Sequence, residues 1–227
     1  MTLYVDSLDR ADRREGYGRT IGVDLVADRR PASETAKRAL DVFGATVGLI
    51  FLAPLMILVV IIISLDSAGP AIFRQRRTGL AGRTFVIYKF RTMRVREDGP
   101  DIRQASRNDA RVTRVGRFMR RTSLDELPQL YNVLRGEMSL VGPRPHAVAH
   151  DEFYGANLRD YYARFLVKPG LTGLAQVSGL RGPTDTIDDM DARIGMDLEY
   201  VRRRSLWLDI QILLRTVLVV AFHPAAH

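Results

Sequence analysis

The chain has no cysteine in its 227 residues. Disulfide scaffolds, thiolate zinc sites, iron–sulfur clusters and cysteine nucleophiles are excluded together. No Asn-x-Ser/Thr sequon occurs, so nothing points to secretion. Proline and glycine, at 10 and 18 residues, are not in excess, which excludes a collagen-like or low-complexity chain. Lysine is almost missing: 3 lysines stand against 31 arginines. The familiar phosphate loops, Gly-x-x-x-x-Gly-Lys-Ser/Thr and Gly-x-Gly-x-x-Gly, are absent, as is His-Glu-x-x-His. The four histidines, His146, His150, His223 and His227, make no convincing metal-ligand set.

What is present is a core-forming, basic chain. Its length fits about one domain, and 46% of it is hydrophobic. The net charge of +8 calls for an anionic partner: nucleic acid, acidic lipid or a phosphorylated substrate. Arginine grips phosphate with a planar fork, although a GC-rich genome gives the same arginine bias.

Residues 1–36 mix Asp, Arg and Gly without apolar period and are expected to be a flexible tail, with a weak strand at Ile21–Val26. The composition then changes. Val42 to Ile63 is a run of 22 residues without a charge. As a straight helix it covers roughly 33 Å, about one hydrocarbon core. Pro54 lies inside the run, removes a backbone donor and predicts a kink. Lys37 and Arg38 precede the run while Arg74, Arg76 and Arg77 follow it, so flanking charge selects no orientation. Two readings stay open: a kinked single span, or a segment that enters, bends at Pro54 and returns.

From Arg74 to Arg121 there are 15 basic and 4 acidic residues, a larger excess than that of the whole chain. Within it, Thr84–Phe90 reads as a strand behind a turn at Gly79–Gly82, and Arg114–Arg121 as a short basic helix. A helix at Gln129–Leu134 stops at Gly136. Val141–Pro145 must be extended. Val148–Phe165 reads as helix, Lys168–Gly173 as a turn and Leu174–Val177 as a short strand. The last helix is expected from Ile187 to Ala221, with one break. Its later part, Leu206–Phe222, carries Asp209, Gln211 and Arg215 among apolar residues. It suits an interfacial helix with Trp207 near headgroups, or a helix packed on the core.

The chemically informative stretch is Arg120-Arg121-Thr122-Ser123-Leu124-Asp125-Glu126-Leu127-Pro128-Gln129. Pro128 is tolerated only in a first helical turn, so a helix is expected to begin near Asp125. Asp125 then serves as an N-cap, and Ser123 with Glu126 mimics a capping box. The same geometry permits chemistry. A helix start attracts a phosphoryl group. A carboxylate there can attack phosphorus, and arginines or a magnesium ion on the second carboxylate can mask the phosphate charge. Arg144, stiffened between Pro143 and Pro145, is a candidate clamp.

Five motifs occur in order: Lys37-Arg38-Ala39-Leu40-Asp41 before the proline-containing apolar run, Lys89-Phe90-Arg91-Thr92-Met93, Ser123 to Gln129, Gly142-Pro143-Arg144-Pro145, and Lys168-Pro169-Gly170-Leu171-Thr172-Gly173. Together they resemble the bacterial sugar transferases known as monotopic phosphoglycosyl transferases, from about residue 37 to the C-terminus. The resemblance implies an α+β, mostly helical fold. A re-entrant, proline-kinked membrane helix (37–65) would carry a compact catalytic domain (66–227) with a small sheet and C-terminal interfacial helices. It implies a bacterial inner-membrane enzyme whose catalytic domain faces the cytoplasm. Such enzymes move hexose 1-phosphate from a UDP-hexose to undecaprenyl phosphate by a ping-pong route and release UMP. By the same resemblance Asp125 is the nucleophile, and Glu126, with Asp125, is tied to Mg2+. Arg144 contacts phosphate or nucleotide, with Lys89, Arg91, Arg120 and Arg121 as further candidates. The C-terminal Ser178–Thr186 and Asp197–Tyr200 stretches look like members that start exopolysaccharide with glucose or galactose phosphate.

Two departures stand out. Ala53 replaces the serine that many members carry before the membrane proline. Only residues 1–36 precede the core, so a minimal form is expected. No nucleic-acid partner is expected, and a homodimer is left open. The rival reading is a non-catalytic, membrane-tethered protein that binds nucleic acid or lipid.

Overall fold

The computed structural model describes residues 31–94, 109–182, 184 and 186–222. The expected tail strand at Ile21–Val26 and most of the polar stretch after Arg94 lie outside them. One long helix, α1 (Pro31–Asp66), opens the described chain. Pro54 sits inside it without interrupting it. A hairpin follows, β1 (Ile72–Thr78) and β2 (Thr84–Phe90), in antiparallel register from Ile72 opposite Phe90 to Thr78 opposite Thr84. Its turn is a short 3-10 segment at Leu80–Gly82. Then come α2 (Arg114–Thr122), a 3-10 turn at Leu124–Glu126 and α3 (Gln129–Arg135). The strand β3 (Ser139–Val141), the helix α4 (Val148–Asn157), a 3-10 stretch at Tyr161–Leu166 and the strand β4 (Gly170–Thr172) follow. The short helix α5 (Leu174–Val177), α6 (Ile187–Arg203) and α7 (Leu206–Phe222) complete the chain.

Expected elements recur with instructive differences. The Thr84–Phe90 strand and the basic helix stand where the pattern puts them. α3 ends where Gly136 takes φ +79 and donates back to Asn132 and Val133, a glycine-terminated helix. The expected helix over Val148–Phe165 ends at Asn157, and Asp160, at φ +60, opens the separate 3-10 stretch that follows. The last helix is split at Arg204 and Ser205 into α6 and α7. Two expectations are corrected. Lys168–Gly173 is not merely a turn: Gly170–Thr172 forms β4, parallel to β3, with Ser139 opposite Gly170 and Val141 opposite Thr172. Leu174–Val177 is a helical turn, not a strand. The expected small-sheet content is present, as two two-stranded sheets.

The β3–β4 pairing explains why two glycine motifs lie far apart in sequence. A Cβ on Gly142 would lie 2.4 Å from the Lys168 carbonyl oxygen, and one on Gly170 would lie 2.1 Å from the Gly142 nitrogen. Only glycine lets these backbones meet. The contact aims the Pro143-Arg144-Pro145 segment. Asn132, fully buried on α3, then ties the helix to the hairpin. Its side chain accepts from the Tyr88 amide at 3.1 Å and donates to the Val86 carbonyl at 2.7 Å. In effect the amide acts as one residue of a neighbouring strand, so Lys89 is fixed in height against the turn that follows α2.

α1 packs along the domain on one side only. Ala45 joins the main core with Ile87, Val133, Leu140 and Ile212. Val59 and Ile63 join a second cluster with Phe90 and Met119. The opposite side leaves Phe43, Val47, Ile50, Phe51, Ile57, Leu58, Ile61 and Leu65 exposed, at helical spacing. Among the described residues this helix alone is long and apolar enough to cross a membrane. α7 has the same two-sidedness. Asp209 and Ile212 turn inward, whereas Trp207, Leu214, Val217 and Leu218 remain exposed. A charge that spoiled α7 as an apolar span is thus an anchor: Asp209 accepts from Lys37 at 2.7 Å and from Tyr200 at 2.8 Å.

Candidate active site

The Asp-Glu pair does not cap a helix. Ser123 closes α2 in a left-handed conformation, φ +57, and its side chain makes no cap bond. Asp125 and Glu126 occupy the 3-10 turn that follows, and α3 starts only at Gln129 behind Pro128. The expected helix start at Asp125 and the capping box are therefore corrected. Pro128 delays the regular i→i−4 ladder, because it has no N–H to give. The result leaves both carboxylates off the helix end and within the field of the same cations, Lys89 and Arg144.

Glu126 is held by two cations. Lys89 Nζ donates to its Oε1 at 2.8 Å, and Arg144 forks onto both oxygens at 2.5 and 3.1 Å. Its side chain is only 13% exposed. Burial raises the Glu126 pKa, but Arg144 and Lys89 outweigh burial and hold it well below the usual carboxylate range. Lys89 responds in the other direction: burial lowers its pKa, and Glu126 opposes the shift. Arg144 is held charged by Glu126.

Asp125 behaves differently. It is 9% exposed. Neither carboxylate oxygen accepts a hydrogen bond among the described residues. Burial and the adjacent Glu126 push its pKa up to about 6, against the opposing fields of Lys89, Arg120 and Arg144. A buried carboxylate with no committed donor is costly unless something outside the chain completes it. Arg120 and Arg181 supply two further positive charges close by, each with its pKa lowered by burial. Arg181 also donates to the Ser123 hydroxyl at 2.5 Å. Four cations around two carboxylates leave a local excess of two positive charges, suited to a diphosphate.

Of the candidates read from sequence, Asp125, Glu126, Lys89, Arg144 and Arg120 are brought together. Arg121 is exposed on α2, and its side chain makes no bond among the described residues. Arg91 is elsewhere: 4% exposed, it donates to the Ala68 carbonyl at 2.7 Å, the Ser67 carbonyl at 2.5 Å and the Ser67 hydroxyl at 3.0 Å. It caps the end of α1 instead of meeting the site. Arg91→Ala should cost about 2–4 kcal/mol in a denaturant titration, since it removes a buried charged donor from three carbonyls at the end of α1. An unchanged midpoint would refute that role.

Sequence reasoning passed over Arg181 and Arg164. Arg181 lies between two positive-φ glycines, Gly179 and Gly182, and that Gly-Leu-Arg-Gly pattern was its only signal. Arg164 is buried and donates to the Arg144 carbonyl at 2.5 Å and to Asp197 at 2.7 Å. It also reaches His146 Nδ1 at 2.7 Å. Burial and Arg164 keep His146 well below its ordinary pKa, hence neutral. This network forms the floor beneath Arg144. Nothing in the local sequence distinguished Arg164 from a surface arginine.

Among the described residues no group of three or more His, Asp or Glu side chains could hold a metal ion. The two carboxylates alone still fit magnesium, which takes one or two carboxylates and fills its shell with phosphate and water. Glu126 accepts three N–H donors out of about four lone-pair directions, and Asp125 accepts none.

The chain thus combines a paired-carboxylate site in a cationic cage with a helix long and apolar enough to cross a membrane. The bacterial sugar transferase family profile matches residues 32–223, and the chain belongs to that family. It is 57% identical to the UDP-glucose:undecaprenyl-phosphate glucose-1-phosphate transferase of Caulobacter vibrioides, over 83% of this chain and 70% of that protein. It is 50% identical to the protein of the same name from Escherichia coli K12, over 84% of this chain and 41% of the relative. The Exopolysaccharide production protein PSS of Rhizobium leguminosarum bv. phaseoli is 46% identical, over 80% of this chain and 92% of the relative. The chain thus spans most of some relatives and about two fifths of the E. coli one.

Proposed function

We propose that this protein is a phosphotransferase that moves glucose 1-phosphate from UDP-glucose to undecaprenyl phosphate, releasing UMP, as a membrane step that starts exopolysaccharide synthesis. Galactose remains the second hexose to test. The observation that carries the reading is Asp125: buried, without a hydrogen bond, and surrounded by Lys89, Arg120, Arg144 and Arg181. The names of the relatives supply the substrates.

In the first step an Asp125 carboxylate oxygen attacks the β-phosphorus of the UDP-sugar. The bond from that phosphorus to the bridging oxygen breaks, and UMP leaves with the electron pair. In the second step a phosphate oxygen of undecaprenyl phosphate attacks the same phosphorus. The acyl phosphate bond breaks and Asp125 returns as a carboxylate. Arg144, Arg120 and Arg181 spread the charge that develops on the phosphoryl oxygens. Lys89 and Arg144 hold Glu126 ionised and fixed. Magnesium, held by Glu126 and Asp125, would neutralise diphosphate charge. The non-catalytic anion-binding reading is not favoured by the relatives' names.

The decisive assay is UMP release by solubilised protein from UDP-glucose or UDP-galactose with magnesium. Sustained release only with undecaprenyl phosphate, and a stoichiometric burst without it, is the expected result. No burst with either sugar would remove the covalent step.

Two further observations support a re-entrant α1 over a true span. Near its start, Lys37 pairs with Asp209, Arg38 donates to the Val133 and Leu134 carbonyls, and Asp41 accepts from Ser139 and Leu140. Near its end, Ile63, Ser67 and Ala68 are bound by Arg91. Both ends thus contact one domain, which a straight span would separate by a bilayer. Glu34 and the hairpin-turn residue Leu80 also line one cleft. Ser33→Cys and Arg83→Cys, unique thiols in this chain, should react with an impermeant reagent from the cytoplasmic side only. Labelling from opposite sides would mean a true span.

A further inference from the structure

Two of the cations around the carboxylate pair, Arg144 and Arg181, trace back to one face of α6. Arg193 and Asp197 stand one turn apart on that helix, and both are buried. Asp197 accepts from Arg164 at 2.7 Å, and Arg164 in turn donates to the Arg144 carbonyl. Arg193 donates to the Gly182 carbonyl at 2.8 Å, one residue beyond Arg181. The helix is a firm support. Thr186 and Asp189 close its start with a capping box, and Met190 and Ile194 pack with Tyr154 and Tyr161.

Little in the fold compensates the charge of Arg193. It is 7% exposed, and among the described residues no carboxylate pairs with it. Its Nε is buried without an acceptor. Asp197, on the same face, is taken by Arg164. Burial first, and then Arg144, lowers the Arg193 pKa to about 10. A buried cation so weakly compensated costs stability, so its use is sought in the one bond it makes.

That bond pins the segment that carries Arg181. Gly179 and Gly182, at φ +87 and +96, bracket Leu180 and Arg181. The Leu180 N–H donates to the Ala175 carbonyl at 3.0 Å on one side of Arg181, and Arg193 holds the Gly182 carbonyl on the other. Among the described residues Arg181 itself meets a single neutral acceptor, the hydroxyl of Ser123, two residues before Asp125. Without the second pin, a glycine-flanked backbone lets a long guanidinium side chain swing away from the Asp125 turn.

We infer that Arg193 is a positioning residue for Arg181: by pinning the Gly182 carbonyl it keeps the Arg181 guanidinium at the Asp125 turn, where phosphoryl charge develops. This rests on the phosphotransferase reading given above. Arg193 and Asp197 then set, from one rigid helix, how far apart Arg181 and Arg144 stand.

The test is a double-mutant cycle on the full chain in detergent, read as the rate of the UMP burst from UDP-glucose with magnesium. R181Q should slow the burst about 10²-fold, as for loss of one charge-stabilising donor. R193M keeps the stem, loses the donor and should slow it about 10–10²-fold. R193K can still donate to Gly182 and should recover part of that loss. The decisive variant is R181Q/R193M. It should be no slower than R181Q alone, because Arg193 then has nothing left to position. R193Q, whose amide is too short for the Gly182 carbonyl, gives a second cycle with the same expected result. A burst unchanged in R193M, or losses that multiply to about 10³-fold or more in the double variant, overturns the positioning role. If R193M and R193Q both fail to fold, Arg193 serves the fold itself and the inference is overturned as well. A parent protein with no burst instead removes the covalent reading of Asp125, and the inference with it.

Discussion

Asp125→Asn is expected to abolish UMP release, by about 10⁴-fold or more, while membrane association and expression persist. The amide keeps the shape but cannot form the acyl phosphate. The same substitution should make the protein more stable, which separates loss of chemistry from loss of fold. The sign follows from the pKa. Asp125 titrates near 3.8 when unfolded and about 6 when folded, so the folded state holds its proton more tightly. Stability is therefore higher at low pH and falls as pH rises through roughly 4 to 6, where the unfolded carboxylate ionises first. Above that window the burial penalty is fully felt. Asn removes it, with a gain on the order of 1–3 kcal/mol at neutral pH, read as a higher melting temperature. A destabilised Asn variant would mean that the cations outweigh burial. In the parent protein, the burst of UMP should grow with pH through about 6, because the nucleophile must be ionised. A burst unchanged down to pH 4 would place the attacking group elsewhere.

How much of this was legible beforehand depends on the range of each signal. β2, α2 and α3 carry their own periodicity and stops, so local sequence located them. The exposed stripe of α1 follows from an uninterrupted apolar run. Long-range pairings were not visible. Gly170–Thr172 read as a turn because three residues carry no strand period; it becomes β4 only when Gly142 allows close approach. The Asp-Glu pair was located, yet its local pattern alone favoured a helix cap over chemistry. Only the left-handed Ser123 and the delayed start of α3 show that neither carboxylate is spent on a helix end. Arg91 illustrates the opposite error. Two residues from Lys89, it shares the motif but points to the other side of the strand, into the end of α1. In an alternating strand, i and i+2 should share a face; Lys89 lies inside β2, whereas Arg91 follows its end, where the alternation lapses.

Glu126→Gln tests the other half of the pair, and its expected effects have three separable parts. Turnover should fall about 10²–10³-fold, as for loss of one charged group that orients the site. The magnesium needed for half-maximal rate should rise, since only Asp125 then offers an anionic oxygen. The acid limb of the burst should also move below pH 6. Glu126 is the charge that most raises the Asp125 pKa after burial, while Lys89, Arg120 and Arg144 lower it. Removing the one and leaving the others turns the balance toward ionised Asp125. A purely structural role for Glu126 would lower the rate without moving that limb. Unchanged magnesium dependence would remove Glu126 from the metal site, and an unmoved limb would uncouple the two carboxylates. The slowed variant with a more acidic nucleophile would instead show why the chain holds the carboxylates adjacent. Lys89 and Arg144 keep Glu126 ionised, and Glu126 in turn keeps Asp125 basic enough to attack phosphorus.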